Sequence, residues 1–332
     1  HFNENLDSIK SKLLVNYSMY LLSIHPYDYN AHRFLLFGIQ KSISHSLFDL
    51  RRRLWQGHYV KNLFYYDDMG FGDTIRGLLW IDYLSKKADK VSIFIRPSFF
   101  DLISKRINTP INVNIKSIDQ FEGELRLDPL AETLPINYAG LSSNSWNKKI
   151  ISGLPKIQRS SPKNKFPRIG LNLRTKVYLS TSGKKLFSHR NIPVKLFLES
   201  VHEWSLMYSC SFHTLLNEET IDSRLIKEIE GINIKTDYLN KDSWEESASK
   251  LETFDMLISV DTALAHLAGI MDIPCILMLN SPADWRWHQS GCKTTIYPSF
   301  KIARCKSRDD WISCIEKVSF FLDEFLANHH SS

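Results

Sequence analysis

The sequence predicts an α/β protein built from two parallel sheets. Strand-sized apolar segments alternate with helical patterns on both sides of residues 152–168, a stretch rich in Pro, Ser and Lys. Such alternation is typical of parallel sheets, and such a stretch is typical of a linker. The chain of 332 residues is also longer than one ordinary core requires. We therefore expect two Rossmann-like domains that face a cleft at the carboxyl ends of their strands.

The individual elements follow from apolar periodicity. In the first domain it predicts strands at 62–66 and 91–95 and helices at 74–87 and 97–105. In the second it predicts strands at 169–173, 206–208, 254–260 and 275–279 and helices at 193–202, 225–230, 262–271 and 311–327.

The N-terminal residues form a separate helical segment in this interpretation. Helical patterns on either side of Pro26 match one tetratricopeptide-type helix pair, which is either the remnant of a repeat array or a simple cap. The predicted divisions are a helical segment at 1–60, an N-terminal Rossmann-like domain at 61–155, a C-terminal Rossmann-like domain at 165–310, and a C-terminal helix and tail at 311–332.

Composition excludes several classes of protein. Apolar residues make up 43% of the chain, as in globular proteins, and no apolar run is long enough to cross a bilayer. The formal net charge of +6 indicates either a solvated surface or attraction to polyanions, such as phosphorylated donors or acceptors near a membrane. No nucleic-acid-binding motif is present, so nucleic acid is not an expected partner.

Cysteine usage and the N-terminal residues indicate a compartment. The five cysteines are scattered, with no Cys-x-x-Cys pair, which favours reduced thiols over a disulfide framework or a zinc site. The first residues contain no apolar segment of the kind found in signal peptides. We therefore expect a soluble cytoplasmic protein, and peripheral association with the inner face of the membrane remains open.

The first motif lies where a predicted strand passes into a helix and contains Gly70, Gly72 and Asp73. Two glycines permit a tight turn and a close approach of the backbone to a ligand. Asp73 would stand at the helix N-terminus, either as a functional carboxylate or as an ordinary helix cap.

The second motif follows a buried strand and contains Asp261, Thr262, Ala263 and His266. The backbone N–H groups of Thr262 and Ala263 have no partner inside the helix, and the helix dipole makes them a candidate anion site. His266 lies four residues after Thr262, on the same helix face, and a buried core histidine is the alternative. If Thr262 is the first helical residue, proline should be tolerated there while removing one N–H group.

Two further segments are candidates for ligand binding. Asp284, Trp285, Arg286 and Trp287 follow a strand, where the aromatic rings and the arginine are suited to a base and to a phosphate or ribose hydroxyl, unless this is only a packed aromatic loop. A basic loop follows the first strand of the second domain, and either faces an anion or is simply solvated. Its basic side chains are Arg174, Lys176, Lys184, Lys185, His189 and Arg190.

Taken together, these motifs resemble a known family. The segments GFGDTIRGL, SVDTALAHLAG, DWRW and TTIYPSFKIARCKSRDDW occur in an order similar to that of bacterial glycosyltransferases fused to tetratricopeptide repeats. Those proteins are similar to the heptosyltransferases of lipopolysaccharide synthesis and more distantly to the O-GlcNAc transferases. The resemblance runs from about Leu54 to the C-terminal helix, and it implies the two-domain GT-B fold.

The resemblance also implies roles for individual residues. Asp73 matches the acid that serves as the general base, whereas Asp261, Thr262, Ala263 and His266 match the block that contacts the diphosphate and sugar of the donor. Arg190 matches a basic residue of the family less closely, because the loop before it is longer here. The remaining predicted donor-binding residues are Gly70, Gly72, Arg174, Asp284, Trp285 and Arg286.

The expected activity is an inverting, metal-independent transfer from a nucleotide-sugar donor to a glycan, lipopolysaccharide-type or other lipid-linked, or protein acceptor. The chain has no Asp-x-Asp motif of the kind that holds a metal in GT-A enzymes, so we expect neither a metal nor another cofactor. Helix N–H groups and a basic residue would stabilise the leaving diphosphate instead. The alternatives are a sugar-nucleotide epimerase or hydrolase of the same architecture and a non-catalytic module that binds a nucleotide sugar or a protein.

Overall fold

The computed structural model describes the chain in segments. They are residues 13–14, 17–18, 20–21, 54–67, 70–136, 166–173, 178–179, 185–186, 188–216, 229, 234–240, 242–294 and 296–330. These residues divide into two compact units. The first holds the described residues up to 104 together with 108–136 and 284–290, and the second holds 105–107 and the other described residues from 166 onward. None of the helices in the described part of the chain has the length and apolar character of a membrane span.

The first unit contains a sheet of four parallel strands. In chain order they are β1 (Val60–Tyr66), β2 (Ala88–Ile95), β3 (Val113–Ser117) and β4 (Glu132–Pro135). In space the order is β3-β2-β1-β4, so the chain moves outward from β1 in one direction and then returns to add β4 on its other side. This reversal between β1 and β4 is the kind of position where open α/β sheets bind ligands.

The second unit contains a sheet of six parallel strands. They are β5 (Arg168–Asn172), β8 (Ser211–Leu216), β9 (Lys235–Tyr238), β10 (Met256–Val260), β11 (Cys275–Leu279) and β12 (Phe300–Arg304). Their spatial order is β12-β11-β10-β5-β8-β9, which is the Rossmann order with its reversal between β5 and β10. A two-stranded antiparallel pair, β6 (Tyr178–Leu179) and β7 (Lys185–Leu186), lies between β5 and β8 in the chain.

Helices connect the strands, as parallel pairing requires. In the first unit they are α1 (Phe71–Gly77), α2 (Ile81–Ser85), α3 (Phe100–Arg106, whose last two residues are grouped with the second unit) and α4 (Phe121–Leu127). In the second unit they are α5 (Val194–Met207), α6 (Trp244–Leu251), α7 (Ala263–Ile270) and α8 (Trp311–His330). Single 3-10 turns occur at Leu78–Trp80, Pro97–Phe99, Ile118–Gln120, Ser188–Arg190 and Trp285–Trp287.

The two-sheet α/β architecture confirms the predicted fold class, but one predicted strand is wrong. Residues 206–208 complete and follow α5, and Leu206 and Met207 are 76% and 70% exposed. The strand here is β8, which begins at Ser211 and carries the buried polar residues His213 and Thr214. Three consecutive apolar residues fit the end of a helix as well as a strand, so periodicity could not separate the two.

Several predictions lie wholly or largely outside the described residues. They include most of the N-terminal helical segment, the stretch 152–165 of the linker, and all but residue 229 of the helix predicted at 225–230. Strands β3, β4, β9 and β12 and helices α4 and α6 have no counterpart among the predicted elements.

Helix α7 packs against the buried ring of Tyr297, which is 1% exposed. A Cβ atom added to Gly269 would lie 2.5 Å from Cγ and Cδ1 of that ring, closer than real Cβ contacts come. The ring in turn packs on Phe300, with 5.0 Å between centroids. The absence of a side chain at Gly269 therefore allows α7 to approach this part of the core.

We predict that Gly269→Ala destabilises the protein by about 1–3 kcal/mol, because the added methyl group forces a packed ring to shift. Gly123→Ala is the matched control, since Gly123 lies in α4 and an added Cβ there meets nothing within 4 Å. This control should be neutral or stabilising by about 0.5–1 kcal/mol. Thermal unfolding of both variants provides the measurement, and equal melting temperatures would contradict the packing argument.

Candidate functional site

In the first unit, the turn after β1 lies at the carboxyl edge of the sheet, beside the reversal in strand order. Asp67, directly after β1, has a side chain only 3% exposed, and it accepts hydrogen bonds from Arg96 Nε and Nη2 at 2.6 and 2.9 Å. Thr74 Oγ1 donates to Asp67 Oδ1 at 2.8 Å and accepts from Arg96 Nη2 at 2.9 Å. The Arg96 guanidinium also stacks 4.0 Å from the centre of the Phe71 ring. This network fixes the start of α1 against β1 and the end of β2.

Asp73 occupies the third position of α1 and does not cap it. The cap residue is Gly70, and no side chain forms a cap hydrogen bond there. Asp73 Oδ1 lies 2.5 Å from Arg286 Nη2 and 3.7 Å from Arg76 Nη2, and the Asp73 side chain is 14% exposed. The interpretation of Asp73 as an ordinary helix cap is therefore wrong, because its carboxylate is held by arginines.

The two carboxylate oxygens of Asp73 have different surroundings. Both arginine contacts are made by Oδ1, and among the described residues Oδ2 has no ion-pair or hydrogen-bond partner. Oδ2 lies on the side of Gly70, where a Cβ atom added to the glycine would be 3.8 Å away. One oxygen of the carboxylate is thus anchored, and the other faces a glycine that leaves space beside it.

The glycines of this motif are not required by backbone strain. Gly70 has φ −74° and ψ 159°, which any residue adopts, and Gly72 is helical. The expectation of a tight turn that depends on glycine is therefore not supported, because the turn closes with ordinary dihedral angles. Gly70 still leaves space for a ligand beside Asp73, because it has no side chain. A role for both glycines in donor binding stays a prediction.

Arg286 joins two carboxylates within the first unit. Besides Asp73, it contacts Asp284, whose Oδ1 accepts from Arg286 Nη1 at 2.9 Å and from the Arg286 backbone N–H at 3.1 Å. Trp287 is fully buried, so it is part of a packed aromatic loop and is not exposed for stacking on a base. The structure describes Trp285 only by its backbone, in the 3-10 turn Trp285–Trp287.

In the second unit, the carboxyl ends of β5 and β10 lie side by side at the reversal in strand order. Asn172 is the last residue of β5, and its Nδ2 donates to Thr262 Oγ1 at 2.7 Å and to Ser259 Oγ at 3.2 Å. Asn172 and Ser259 are buried. The two central strands are therefore joined through side chains at the point where α7 begins.

Thr262 is the cap residue of α7, with φ −142°, and its hydroxyl accepts from the backbone N–H of Ala265 at 3.4 Å. The expectation that Thr262 is the first helical residue is wrong by one position, since Ala263 begins the helix. Among the described residues, the N–H groups of Thr262 and Ala263 donate no hydrogen bond. These groups are at the positive end of the helix dipole, as an anion site requires.

The residue before this cap is ion-paired with the predicted basic residue. Asp261 Oδ2 lies 3.0 Å from Arg190 Nη1, and the two side chains are 8% and 23% exposed. The sequence separates these residues widely, and the fold brings them together beside the first turn of α7. Of the other predicted basic residues, Arg174, Lys176 and Lys184 lie outside the described residues, and Lys185 lies in β7.

His266 is a residue of α7, and its side chain is buried in the core. It is 5% exposed, and its Nδ1 forms a hydrogen bond of 2.9 Å with the hydroxyl of Tyr297. The two rings meet edge to face with 5.8 Å between their centroids. This arrangement matches the alternative of a core histidine, and contact of His266 with a donor stays a prediction.

Sequence reasoning missed four residues that organise these positions, namely Arg96, Asn172, Asn280 and Tyr297. A signal was present for the two asparagines, because each is a polar residue at the end of an apolar strand, in IGLN and ILMLN. Buried amides must find hydrogen-bond partners, so such residues are expected at a junction of several segments. Nothing in the local sequence indicated the partners of Arg96 or Tyr297.

A further titratable cluster lies on the side of the second sheet where β9 is the outermost strand. His213 forms hydrogen bonds with Asp237 at 2.8 Å and with Ser211 at 3.1 Å, and Lys250 donates to Asp237 at 2.7 Å. Burial lowers the pKa of His213 despite the neighbouring carboxylate, which favours the neutral ring. The cluster links α6 to β8 and β9. In the described part of the chain, no group of three or more His, Cys, Asp or Glu side chains is suited to hold a metal ion.

Comparison with known proteins rests on structure, because no protein-family model and no curated protein matches this sequence. The glycosyl transferase family 9 protein of Veillonella parvula DSM 2008 gives a TM-score of 0.57 at 10% identity, covering 83% of this chain and 99% of that one. E. coli ADP-heptose lps heptosyltransferase II gives 0.54 at 11% identity, covering 81% and 99%. E. coli heptosyltransferase WaaC with ADP-2-deoxy-2-fluoro heptose gives 0.52 at 13% identity, covering 80% and 99%.

Identities this low show similarity of fold and leave the activity of the chain to be argued from its own residues. Linkage to tetratricopeptide repeats stays a prediction. With its two parallel sheets of four and six strands, the chain has the GT-B fold of the family 9 glycosyltransferases and heptosyltransferases.

Proposed function

We propose that this protein is an inverting, metal-independent glycosyltransferase that moves a sugar from a nucleotide-sugar donor to a hydroxyl of a glycan, lipid-linked or protein acceptor. The observation that carries the proposal is the position of both predicted sites. In a GT-B fold, the Asp73 carboxylate and the first turn of α7 each lie at the reversal in strand order of their sheet, where α/β sheets bind ligands.

The second unit would bind the donor diphosphate. The N–H groups of Thr262 and Ala263 and the guanidinium of Arg190 supply positive charge to the leaving group as the bond from the anomeric carbon to the diphosphate breaks. WaaC was solved with an ADP-sugar analogue, which supports a nucleoside diphosphate sugar as the class of donor here.

The first unit would activate the acceptor. As the acceptor oxygen forms its new bond to the anomeric carbon, its proton passes to Asp73 Oδ2. Support comes from the two-sided environment of this carboxylate, since Oδ1 is anchored by Arg286 and Arg76 while the Gly70 side carries no Cβ. A general base must be held in position and still be accessible to the hydroxyl that it deprotonates.

Our first prediction for the activity concerns metal ions. Because helix N–H groups and Arg190 would stabilise the diphosphate, and because the sequence has no Asp-x-Asp motif, EDTA should leave the transfer rate unchanged. Added Mg²⁺ or Mn²⁺ should not raise it. Loss of transfer in EDTA with recovery on adding either ion would contradict the proposed phosphate site.

The second prediction concerns the N–H group of Ala263. Ala263→Pro removes this group at the first helical position, where proline is tolerated, and the preceding Thr262 already has the extended conformation that a residue before proline requires. Thr262→Pro is unsuitable, because φ of −142° at the cap lies outside the range of proline. We expect nucleoside diphosphate affinity to fall by about tenfold, the loss associated with one hydrogen bond to a charged group.

The control is Ala263→Val, which adds comparable bulk and keeps the N–H group. A thermal-shift panel of nucleotide sugars and nucleoside diphosphates with the wild-type protein selects the ligand, and calorimetry then measures the variants. If a folded Ala263→Pro protein binds as tightly as Ala263→Val, the N-terminus of α7 does not hold the diphosphate.

The third prediction concerns Asp73. Asp73→Asn keeps the size of the side chain and a hydrogen bond to Arg286, but removes the ability to take up a proton. If Asp73 is the general base, the transfer rate should fall about 10²- to 10⁴-fold while nucleotide affinity changes little. Initial rates with saturating donor, together with calorimetry, separate the two effects.

Asp67→Asn is the matched control, since Asp67 is also a buried carboxylate paired with an arginine in the same turn. Asp67→Asn should lower the melting temperature. It should also reduce the transfer rate, but far less than Asp73→Asn does. Near wild-type transfer by a stable Asp73→Asn protein would contradict the proposed base. Donor turnover without any acceptor would indicate an epimerase or hydrolase, and binding without turnover would indicate a binding module.

A further inference from the structure

The buried side chain of Asn280 uses its full hydrogen-bonding capacity. It follows β11, and its Nδ2 donates to the carbonyl oxygen of His189 at 2.7 Å and to Asp309 Oδ1 at 2.6 Å. Its Oδ1 accepts from the backbone N–H groups of Ser281 and Asp309, both at 2.8 Å. A primary amide has two N–H donors and one oxygen with two lone pairs, so all four positions are occupied.

These four bonds join three segments that are distant in the sequence. One is the 3-10 turn Ser188–Arg190, the second is the turn after β11, and the third is the loop between β12 and α8. Asp309 in that loop has φ +61°, an unusual conformation for a residue with a side chain. Asn280 contacts both its carboxylate and its N–H, which favours this conformation and makes the loop a fixed support.

The turn held by Asn280 carries Arg190. The carbonyl that accepts from Asn280 belongs to His189, the residue directly before Arg190, and the Arg190 guanidinium reaches Asp261 at 3.0 Å. Asp261 precedes Thr262, the cap of α7. A chain of direct contacts therefore runs from Asn280 through the backbone of the turn to Arg190 and the first turn of α7.

We propose that Asn280 is a positioning residue for the donor diphosphate, acting through Arg190. This inference rests on the proposed function, because it assigns Arg190 to the leaving diphosphate. An arginine side chain has many rotamers, and ordering it at the moment of binding costs free energy. Two constraints order it in advance, since Asn280 fixes the backbone from which the side chain starts and Asp261 holds its guanidinium. A preorganised cation stabilises developing negative charge without that cost.

Asn280→Asp tests the inference. The substitution keeps the shape and the two accepted hydrogen bonds, but it replaces the N–H donors by an oxygen that faces the His189 carbonyl and the Asp309 carboxylate. Calorimetry with ADP, GDP, UDP and CDP identifies the nucleotide that the wild-type protein binds most tightly. We expect Asn280→Asp to weaken that binding by about tenfold. If thermal unfolding shows that Asn280→Asp is not folded, Asn280→Ala, which introduces no charge, is used as the test variant instead.

A double-mutant cycle separates positioning from a general loss of structure. If Asn280 acts through Arg190, the double variant Arg190→Ala and Asn280→Asp should bind no more weakly than Arg190→Ala alone. Asp309→Gly is the control, because it removes one acceptor of the amide, permits the positive φ and leaves the bond to His189. Its affinity should stay within about threefold of wild type, a change below the loss expected for one charged hydrogen bond.

The outcomes distinguish this inference from the proposed function. If Arg190→Ala weakens nucleotide binding and a folded Asn280→Asp protein does not, the proposed function stands and the role of Asn280 is refuted. Fully additive losses in the double variant would refute it as well, because Asn280 would then act by another route. If the wild-type protein binds none of the four nucleotides and no nucleotide sugar, both proposals fail.

Discussion

All strands of the two main sheets pair in parallel, and this pairing determines where connections and polar residues can lie. Neighbouring parallel strands cannot be joined by a tight turn, so each strand must be followed by a connection that returns across the sheet. All carboxyl ends then lie along one edge, and the central strands leave a gap where connections depart in opposite directions. In the second unit this gap lies between β5 and β10, and in the first between β1 and β4. The candidate residues are concentrated there because backbone N–H groups and polar side chains can meet at those positions without disrupting the sheets.

Buried and half-buried polar side chains fix the positions of the loops at these carboxyl edges. Asn172 connects β5 to the cap of α7, and Asn280 connects three loops around Arg190. In the first unit Arg96 ties the turn after β1 to the end of β2, while Arg286 is shared by Asp73 and Asp284. A buried amide or charge without partners is costly, so each of these residues makes the arrangement of its neighbours more specific. The candidate base and the candidate anion site are both supported in this way.

The limits of sequence reasoning follow from the same contacts. Buried strands such as β10 and β11 were predictable, since each is a largely apolar run of five residues, the length of a strand, bounded by turn-forming residues. The edge strand β9, which reads Lys-Thr-Asp-Tyr, has no apolar pattern and is held by pairing with β8. The strand predicted at 206–208 failed for the opposite reason, because an apolar run there is the exposed end of a helix. Local pattern is informative where burial is continuous and fails where pairing with a distant segment supplies the stability.

Local periodicity and the chemistry of helix termini were enough to predict the α/β class, the two strand-to-helix motifs and the residues at their ends. The folded chain adds four contacts that these patterns do not contain: Asp73 is anchored by Arg286, Arg190 meets Asp261, Thr262 is a cap held by Asn172, and His266 is a core residue beside Tyr297. Each of these contacts joins residues from separate elements. Strand order and packing determine such contacts. They bring together residues that are far apart in the sequence, so no local pattern predicts them.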